Sequence, residues 1–74
     1  MIGDLFWDDV TGPSLRFALE DKDGVDSLMG YCWDRWIAVS YMYDEPSFLV
    51  YWGRFVDMES VQNLLIDYRN SQLG

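Results

Sequence analysis

The alternation of apolar and polar positions is clearest between residues 36 and 56, where two apolar runs flank a polar segment. The runs cover residues 36–43 and 48–56, and both are rich in β-branched and aromatic side chains, which favour strands. Residues 44–47 (Asp-Glu-Pro-Ser) have the composition of a turn. We therefore predict a central β-hairpin over about residues 36–56.

The turn length sets a register for this predicted hairpin. With a four-residue loop we expect three successive cross-strand pairs: Tyr43–Phe48, Tyr41–Val50 and Val39–Trp52. Neither face of the hairpin is polar, because apolar side chains occupy both sets of alternating positions. We expect both faces to be covered, either by the rest of the fold or by a partner.

Near the C-terminus, apolar residues recur at the spacing of a helix. The stripe consists of Met58, Val61, Leu64, Leu65 and Tyr68. Asp57 is a suitable N-cap, and Glu59 and Arg69 have the charges that favour the two ends of the helix dipole. We predict a helix over about residues 58–71, with residues 71–74 as a frayed tail.

The first half of the chain has a weaker pattern. Residues 4–10 are compatible with a strand that ends in a turn at residues 11–14. Residues 15–20 alternate as a half-buried strand does, although helix formers also follow a possible N-cap at Ser14. We favour the strand, because residues 21–24 (Asp-Lys-Asp-Gly) are typical of a turn that closes a hairpin.

A short helix is the expected next element. Its apolar positions at helical spacing are Val25, Leu28, Met29 and Cys32, although Gly30 weakens the helical pattern. The elements together predict an α+β fold. Its small antiparallel β-sheet has three or four strands, built around the central hairpin at residues 36–56. The C-terminal helix at residues 58–71 packs on one face of this sheet.

The length of 74 residues predicts that residues 1–74 form a single compact domain. No uncharged stretch approaches the ~18–20 residues that a membrane-spanning helix needs, and the N-terminus lacks the basic region of a signal peptide. A single cysteine cannot form an internal disulfide, which small secreted domains usually need. We therefore expect a cytoplasmic protein.

Acidic residues outnumber basic ones by 13 to 5, for a net charge of −8. Nucleic-acid backbones and anionic membranes are bound by clusters of Lys and Arg, so we expect neither as a direct partner. The acidic excess has two interpretations. It keeps a small domain soluble, or it forms a negative surface that meets a basic protein or nucleoprotein complex.

Catalytic chemistry is poorly represented. The chain has no histidine, the side chain that most often ligates zinc or acts as a general base near neutral pH. We interpret Cys32 as a small buried hydrophobe rather than a catalytic thiolate. Neighbouring acids on a strand point to opposite faces and do not form a catalytic pair. We expect no enzyme activity and no cofactor.

Residues 21–24 also resemble part of a calcium-binding EF-hand loop, but the spacing fails. With Gly24 as the invariant glycine, the loop would begin at Leu19 and end at Gly30, where Asp and Glu are needed. The alternative to a solvated turn is a weak calcium or magnesium site built from Glu20, Asp21, Asp23 and Asp26.

Thirteen aromatic residues, namely 4 Trp, 5 Tyr and 4 Phe, exceed what so small a core needs, since each buries ~150–250 Å². Some are therefore expected at the surface, where Trp and Tyr dominate binding hot spots; the alternative is an aromatic core with a few scattered exposed rings. The candidate partner-binding residues are aromatic anchors and acids, several of them adjacent in sequence: Trp7, Asp8, Asp9, Glu20, Asp21, Asp23, Asp26, Trp33, Asp34, Tyr43, Asp44 and Glu45.

These features favour a small acidic inhibitor that blocks a basic, nucleic-acid-handling protein. Toxin-neutralising immunity proteins and phage-encoded inhibitors of bacterial defence, such as anti-CRISPR proteins, are classes of this kind, and the analogy rests on size, charge and aromatic content alone. An extended nucleic-acid mimic is less favoured, because the acids cluster in predicted turns rather than along one strand. The alternative is a structural homodimer, or a subunit of a larger assembly, that hides the apolar hairpin.

Overall fold

Two helices pack on one face of an antiparallel sheet. The structure, a computed structural model, describes residues 4–73. The elements in this part of the chain are β1 (Phe6–Asp8), β2 (Gly12–Ala18), α1 (Lys22–Asp34), β3 (Ser40–Asp44), β4 (Ser47–Tyr51) and α2 (Met58–Leu73). They form a four-stranded sheet in the order β1-β2-β4-β3. The predicted α+β class, the small antiparallel sheet and the C-terminal helix are confirmed.

β3 and β4 form the predicted central hairpin, but both strands are shorter than expected. The ladder contains two of the three expected pairs: Tyr43–Phe48 and Tyr41–Val50. The pair of Val39 with Trp52 is not part of it, because β3 begins only at Ser40. Trp52 instead donates its backbone N–H to the carbonyl oxygen of Pro13 in β2, at 3.1 Å. The predicted strands were too long at both outer ends.

The first turn lies earlier in the chain than predicted. The Asp8 carboxylate accepts hydrogen bonds from the backbone N–H groups of Val10 and Thr11, at 2.8 and 3.1 Å. These bonds reverse the chain directly after β1. Residues 12–14, expected in the turn, are therefore the first residues of β2, and the predicted strand over residues 4–10 keeps only its centre.

Gly12 is required where this turn meets the segment that follows β4. Its φ is +75°, and a Cβ at this position would lie 2.3 Å from the carbonyl oxygen of Gly53. Only a residue without a side chain permits this approach. Gly53 also donates its backbone N–H to the carbonyl oxygen of Thr11, at 2.9 Å. The two segments are therefore joined through their backbones.

The strand predicted for residues 15–20 is confirmed as far as Ala18, but the hairpin turn predicted at residues 21–24 is wrong. A short 3₁₀ turn, Leu19–Asp21, leads into α1 instead. The helix prevails because its apolar positions are all buried: Val25, Leu28, Met29 and Cys32. Gly24 is not a turn residue, and a Cβ there would lie 2.7 Å from the carboxylate oxygens of Asp21.

The core lies between both helices and the face of the sheet that carries Leu15, Phe17 and Val50. α1 contributes the four residues of its apolar stripe, and α2 contributes three positions of its own: Val61, Leu65 and Tyr68. Burying a side chain of this size contributes about 1.5–3 kcal/mol. The hydroxyls of Tyr68 and Ser27 also share a hydrogen bond of 2.9 Å, which links the two helices.

Of the two faces of the hairpin that were expected to be covered, the described helices cover one. The opposite face carries Arg16, Leu49 and Met42 side by side on three strands. The guanidinium of Arg16 lies 5.7 Å from the ring centroid of Phe6 and bonds the Asp44 carboxylate at 2.9 Å. Leu49 is nevertheless buried beneath its neighbours.

α2 begins at Met58 as predicted and continues to Leu73, beyond its expected end near residue 71. Residues 71–73 of the expected tail are therefore helical, and residue 74 lies outside the described residues. At the N-terminal end, the Asp57 carboxylate accepts bonds from the hydroxyl and the backbone N–H of Ser60, at 2.6 and 3.3 Å. The predicted N-cap is thus in place.

Gly12 and Gly30 lie in different environments, so we expect their substitution by alanine to have opposite effects on stability. Gly12→Ala should destabilise the fold by at least about 1–3 kcal/mol, because it combines a positive φ with a backbone clash. Gly30→Ala should stabilise it by up to about 1 kcal/mol, because Gly30 lies inside α1 with no atom near its missing Cβ. Urea unfolding of both variants measures the difference, and equal midpoints would contradict the close approach at Gly12.

Acid should weaken the fold through Asp8 and Asp57. Hydrogen bonds from the N–H groups of Val10 and Thr11 hold the pKa of Asp8 below its usual value of 3.8, and the Ser60 hydroxyl does the same for Asp57. A lowered folded-state pKa contributes stability above the unfolded pKa, and this contribution is lost as pH falls through the folded value.

The variant Asp8→Ala/Asp57→Ala should therefore melt at a lower temperature than the wild type at pH 7. Its melting temperature should depend less on pH between about pH 5 and pH 2. Thermal unfolding followed by circular dichroism measures both. Asp67→Ala is the control, since Asp67 is exposed and makes no hydrogen bond to another described side chain. If the melting temperature of the double variant changes with pH as that of the wild type does, the lowered pKa values of Asp8 and Asp57 are contradicted.

Candidate functional site

α1 ends in a reverse turn that holds Trp36 in the left-handed backbone conformation, with a φ of +60°. The backbone N–H of Trp36 donates to the carbonyl oxygen of Trp33 at 3.0 Å, and that of Ile37 donates to Cys32 at 2.9 Å. These two bonds define a Schellman motif, in which the left-handed position is usually glycine. A tryptophan there costs on the order of 1 kcal/mol in backbone energy.

The side chain of Trp36 gains no packing in return, because 97% of it is exposed. Aromatic residues usually stabilise a fold by burying their large apolar area, and this one does not. Conflicts between local preference and the rest of a fold are typical of functional positions. Trp36 is absent from the predicted partner-binding residues, because residues 36–43 are predicted as part of a strand. No pattern in the sequence marks a tryptophan with a positive φ.

Trp33 stands beside Trp36 and is 58% exposed. Its indole N–H donates to the carbonyl oxygen of Val39, at 3.4 Å, so the polar atom of this ring already has a partner. Together with Ile37 and Ala38, the two tryptophans line a groove of about 380 Å³. This volume falls at the lower end of the range for ligand sites, ~300–1,000 Å³, and all four lining side chains are apolar or aromatic.

The groove adjoins the start of β3, whose central residues are also exposed. Tyr41, Met42 and Tyr43 all have substantial solvent access, with Tyr43 the most exposed at 59%. Tyr41 and Tyr43 each pack edge-on against the ring of Phe48, with centroid distances of 6.0 and 6.2 Å. The exposed aromatic surface thus extends from the end of α1 along the edge of the sheet.

Nine of the twelve predicted partner-binding residues lie on or next to α1 and β3 in the chain. Trp33 and Asp34 form the end of α1. The acids near its start are Glu20, Asp21, Asp23 and Asp26, and the residues at the tip of the hairpin are Tyr43, Asp44 and Glu45. The ammonium of Lys22 lies 5.0 Å from the ring centroid of Tyr41, which places the start of α1 beside β3.

Trp7, Asp8 and Asp9 lie elsewhere, on and just after β1. β1 and β3 are the two edge strands of the sheet, separated by about 14 Å at the usual strand spacing. Asp8 is used in the turn after β1, and Asp9 accepts a hydrogen bond from the indole N–H of Trp7 at 3.2 Å. These three residues do not join the surface around the groove.

Acidic residues outnumber basic ones in the two segments that flank the groove and β3, residues 20–35 and 44–45. Lys22 bonds the Asp26 carboxylate at 2.7 Å, which raises the pKa of Lys22. Arg35 stacks on Tyr31, with its guanidinium carbon 3.5 Å from the ring centroid. Within residues 4–73, neither Asp34 nor Glu45 forms an ion pair. A cation brought to this side by a partner would therefore meet unneutralised carboxylates.

Other chemistry has less support in the described part of the chain. No group of three or more His, Cys, Asp or Glu residues there could hold a metal ion. Cys32 is fully buried, and burial raises the pKa of its thiol, although the Trp52 indole acts in the opposite direction. A second groove, of about 400 Å³ beside α2, has a mixed polar lining without aromatic rings. Neither described helix has the length and apolarity needed to cross a membrane.

The strain at Trp36 predicts an unusual stability change. Trp36→Gly should stabilise the fold by up to about 1 kcal/mol, because glycine adopts the left-handed conformation without strain and no packing is lost. Trp36→Ala, which keeps the strain, is the matched control and should give no comparable gain. Urea unfolding measures both variants. Equal stability of the two would show that the backbone at residue 36 is not strained.

Comparison of the chain with protein-family models, with curated proteins and with solved structures finds no match. A function for this chain therefore has to be argued from its own geometry. The features that carry most weight are the strained and exposed Trp36, the apolar groove it shares with Trp33, and the unpaired carboxylates nearby.

Proposed function

We propose that the chain is a small protein-binding inhibitor that uses the Trp33–Trp36 groove and the surrounding carboxylates to block a basic, nucleic-acid-handling protein. The observation that carries this proposal is Trp36, 97% exposed in a backbone conformation that disfavours tryptophan. A residue that weakens the fold and lies in water gains its value from a contact made outside the chain.

The tryptophan side chain offers a large apolar area to a partner. Covering about 200 Å² of aromatic surface contributes about 5 kcal/mol at 25 cal/mol per Å², before the cost of ordering the complex. Trp36 is held by the two hydrogen bonds of the helix end, so its backbone loses little freedom on binding. Tryptophan is one of the residue types that are enriched among the hot spots of protein interfaces.

The acidic excess of the chain favours a basic partner. A net charge of −8 attracts a positive surface from a distance and accelerates encounter. Proteins that handle nucleic acids carry such surfaces, because they neutralise phosphates with Lys and Arg. An acidic protein that occupies this surface excludes the nucleic acid, whether or not its carboxylates copy the spacing of phosphates.

The test begins with capture of partners from a host lysate on immobilised wild-type chain and on the Trp36→Gly variant, followed by quantitative mass spectrometry. A partner retained only by the wild type is purified, and its nucleic-acid binding is measured with increasing amounts of inhibitor. The wild type should abolish that binding, and Trp36→Gly should weaken the complex by roughly 30-fold, the loss typical of a hot spot.

Phe55→Ala is the matched control, because Phe55 is as exposed as Trp36 (94%) but lies in the loop before α2. It should leave the complex unchanged. The complex should also weaken as salt rises, since its charges are opposite. The homodimer expected as the alternative has like charges, so its association should strengthen with salt. Self-association of that kind, with no partner inhibited, would contradict the proposal.

A further inference from the structure

β3 is an edge strand with a free side. It pairs with β4 on one side, and no described strand lies on its other side. Soluble proteins usually protect such an edge with Lys, Pro, a bulge or a covering loop. Between Ser40 and Asp44 the sequence contains no Lys or Pro, and the register against β4 is uninterrupted.

The hydrogen-bonding pattern shows which backbone groups face outward. The N–H of Trp52 bonds β2, so the alternation of an antiparallel ladder directs Phe48 and Val50 to β2 as well. The odd-numbered residues of β4 then bond β3, through Ser40, Met42 and Asp44. Tyr41 and Tyr43 are left with their N–H and C=O groups pointing away from the sheet. These groups repeat about every 6.8 Å, as an added strand requires.

The surroundings of this edge indicate the chemistry of its occupant. The apolar groove at Trp33 and Trp36 adjoins one end of β3, and Glu45 directly follows the other end. Arg16 and Lys22, which contact Asp44 and Tyr41 of β3, are already paired with Asp44 and Asp26, and Arg35 beside the groove stacks on Tyr31. A second copy of the chain would bring another net charge of −8 to the same place. A positively charged strand is the complementary occupant.

We propose that β3 binds a positively charged, extended segment of the partner protein by adding it to the sheet as a fifth strand, with an apolar side chain of that segment in the Trp33–Trp36 groove. This inference rests on the proposed function, because it describes how the basic partner is held. Backbone hydrogen bonds to Tyr41 and Tyr43 align the partner segment with β3. The groove and Glu45 select for an apolar side chain and a cationic one.

The probe is a phage-displayed library of random peptides of about 12 residues, long enough to span β3 and the groove. Peptides selected on the full wild-type chain are synthesised, and their affinities are measured by calorimetry. The enriched sequences should be rich in Lys and Arg and alternate with β-branched or aromatic residues.

Tyr43→Pro removes an N–H that points away from the sheet, a substitution that edge strands tolerate. It should weaken peptide binding by roughly 10-fold or more, the effect of losing a backbone hydrogen bond and distorting the edge. Tyr43→Thr is the matched control, because it removes the same ring but keeps the N–H and the strand preference. It should weaken binding by much less.

Amide hydrogen exchange of the wild type gives a second readout that needs no variant. On peptide binding, exchange at Tyr41 and Tyr43 should slow by about 10-fold or more, whereas Met42, already bonded to β4, should change little. If Tyr43→Pro fails to fold, the contrast between slowed exchange at Tyr41 and Tyr43 and unchanged exchange at Met42 still tests strand addition. Binding that leaves Tyr41 and Tyr43 unprotected would overturn strand addition.

The outcomes separate this inference from the proposed function. One outcome is that cationic peptides bind Tyr43→Pro and Tyr43→Thr equally well but no longer bind Trp36→Gly. This outcome overturns strand addition and leaves the proposed function standing. Selection of neutral or acidic peptides contradicts both. A wild-type chain that sediments as a dimer, and becomes monomeric on Tyr43→Pro, overturns the inference because the occupant of the edge is then a second copy.

Discussion

The packing of both helices against one face of β2 and β4 is the constraint on which the other features depend. Leu15, Phe17 and Val50 define that face, and the apolar stripes of α1 and α2 must both reach it. α1 connects β2 to β3, and the chain reverses at the end of the helix before it enters this edge strand. Trp36 lies in this reversal, and β3 has an open side because it is the last strand of the sheet.

Part of the fold was predictable because local pattern and tertiary packing agree. The stripe of α2 and the register of Tyr43 with Phe48 are examples, since periodicity and turn length determine them locally. The start of α1 was predicted wrongly, because the turn preference of residues 21–24 acts only locally, whereas burial of Val25 and its stripe under the sheet is worth several kcal/mol. Tertiary burial outweighed turn propensity there.

The candidate site was less predictable than the fold, for two physical reasons. The sequence shows which side chains are aromatic or acidic, but strand order decides which of them meet, and it places Trp7 at the edge opposite Tyr43. The conformation of Trp36 follows from how α1 ends rather than from any preference of tryptophan. Trp36 is the residue that best supports a binding role, and the local sequence pattern predicted a strand at its position.

Gly12 has a further consequence for the range of sequences that can adopt this fold. A side chain at residue 12 would collide with main-chain atoms of Gly53 and Arg54 rather than with another side chain. No substitution elsewhere can remove a main-chain atom, so a second mutation cannot relieve the clash that a side chain at residue 12 would cause. In any lineage that retains this architecture, Gly12 should stay fixed, while positions whose neighbours are only side chains are free to vary in pairs.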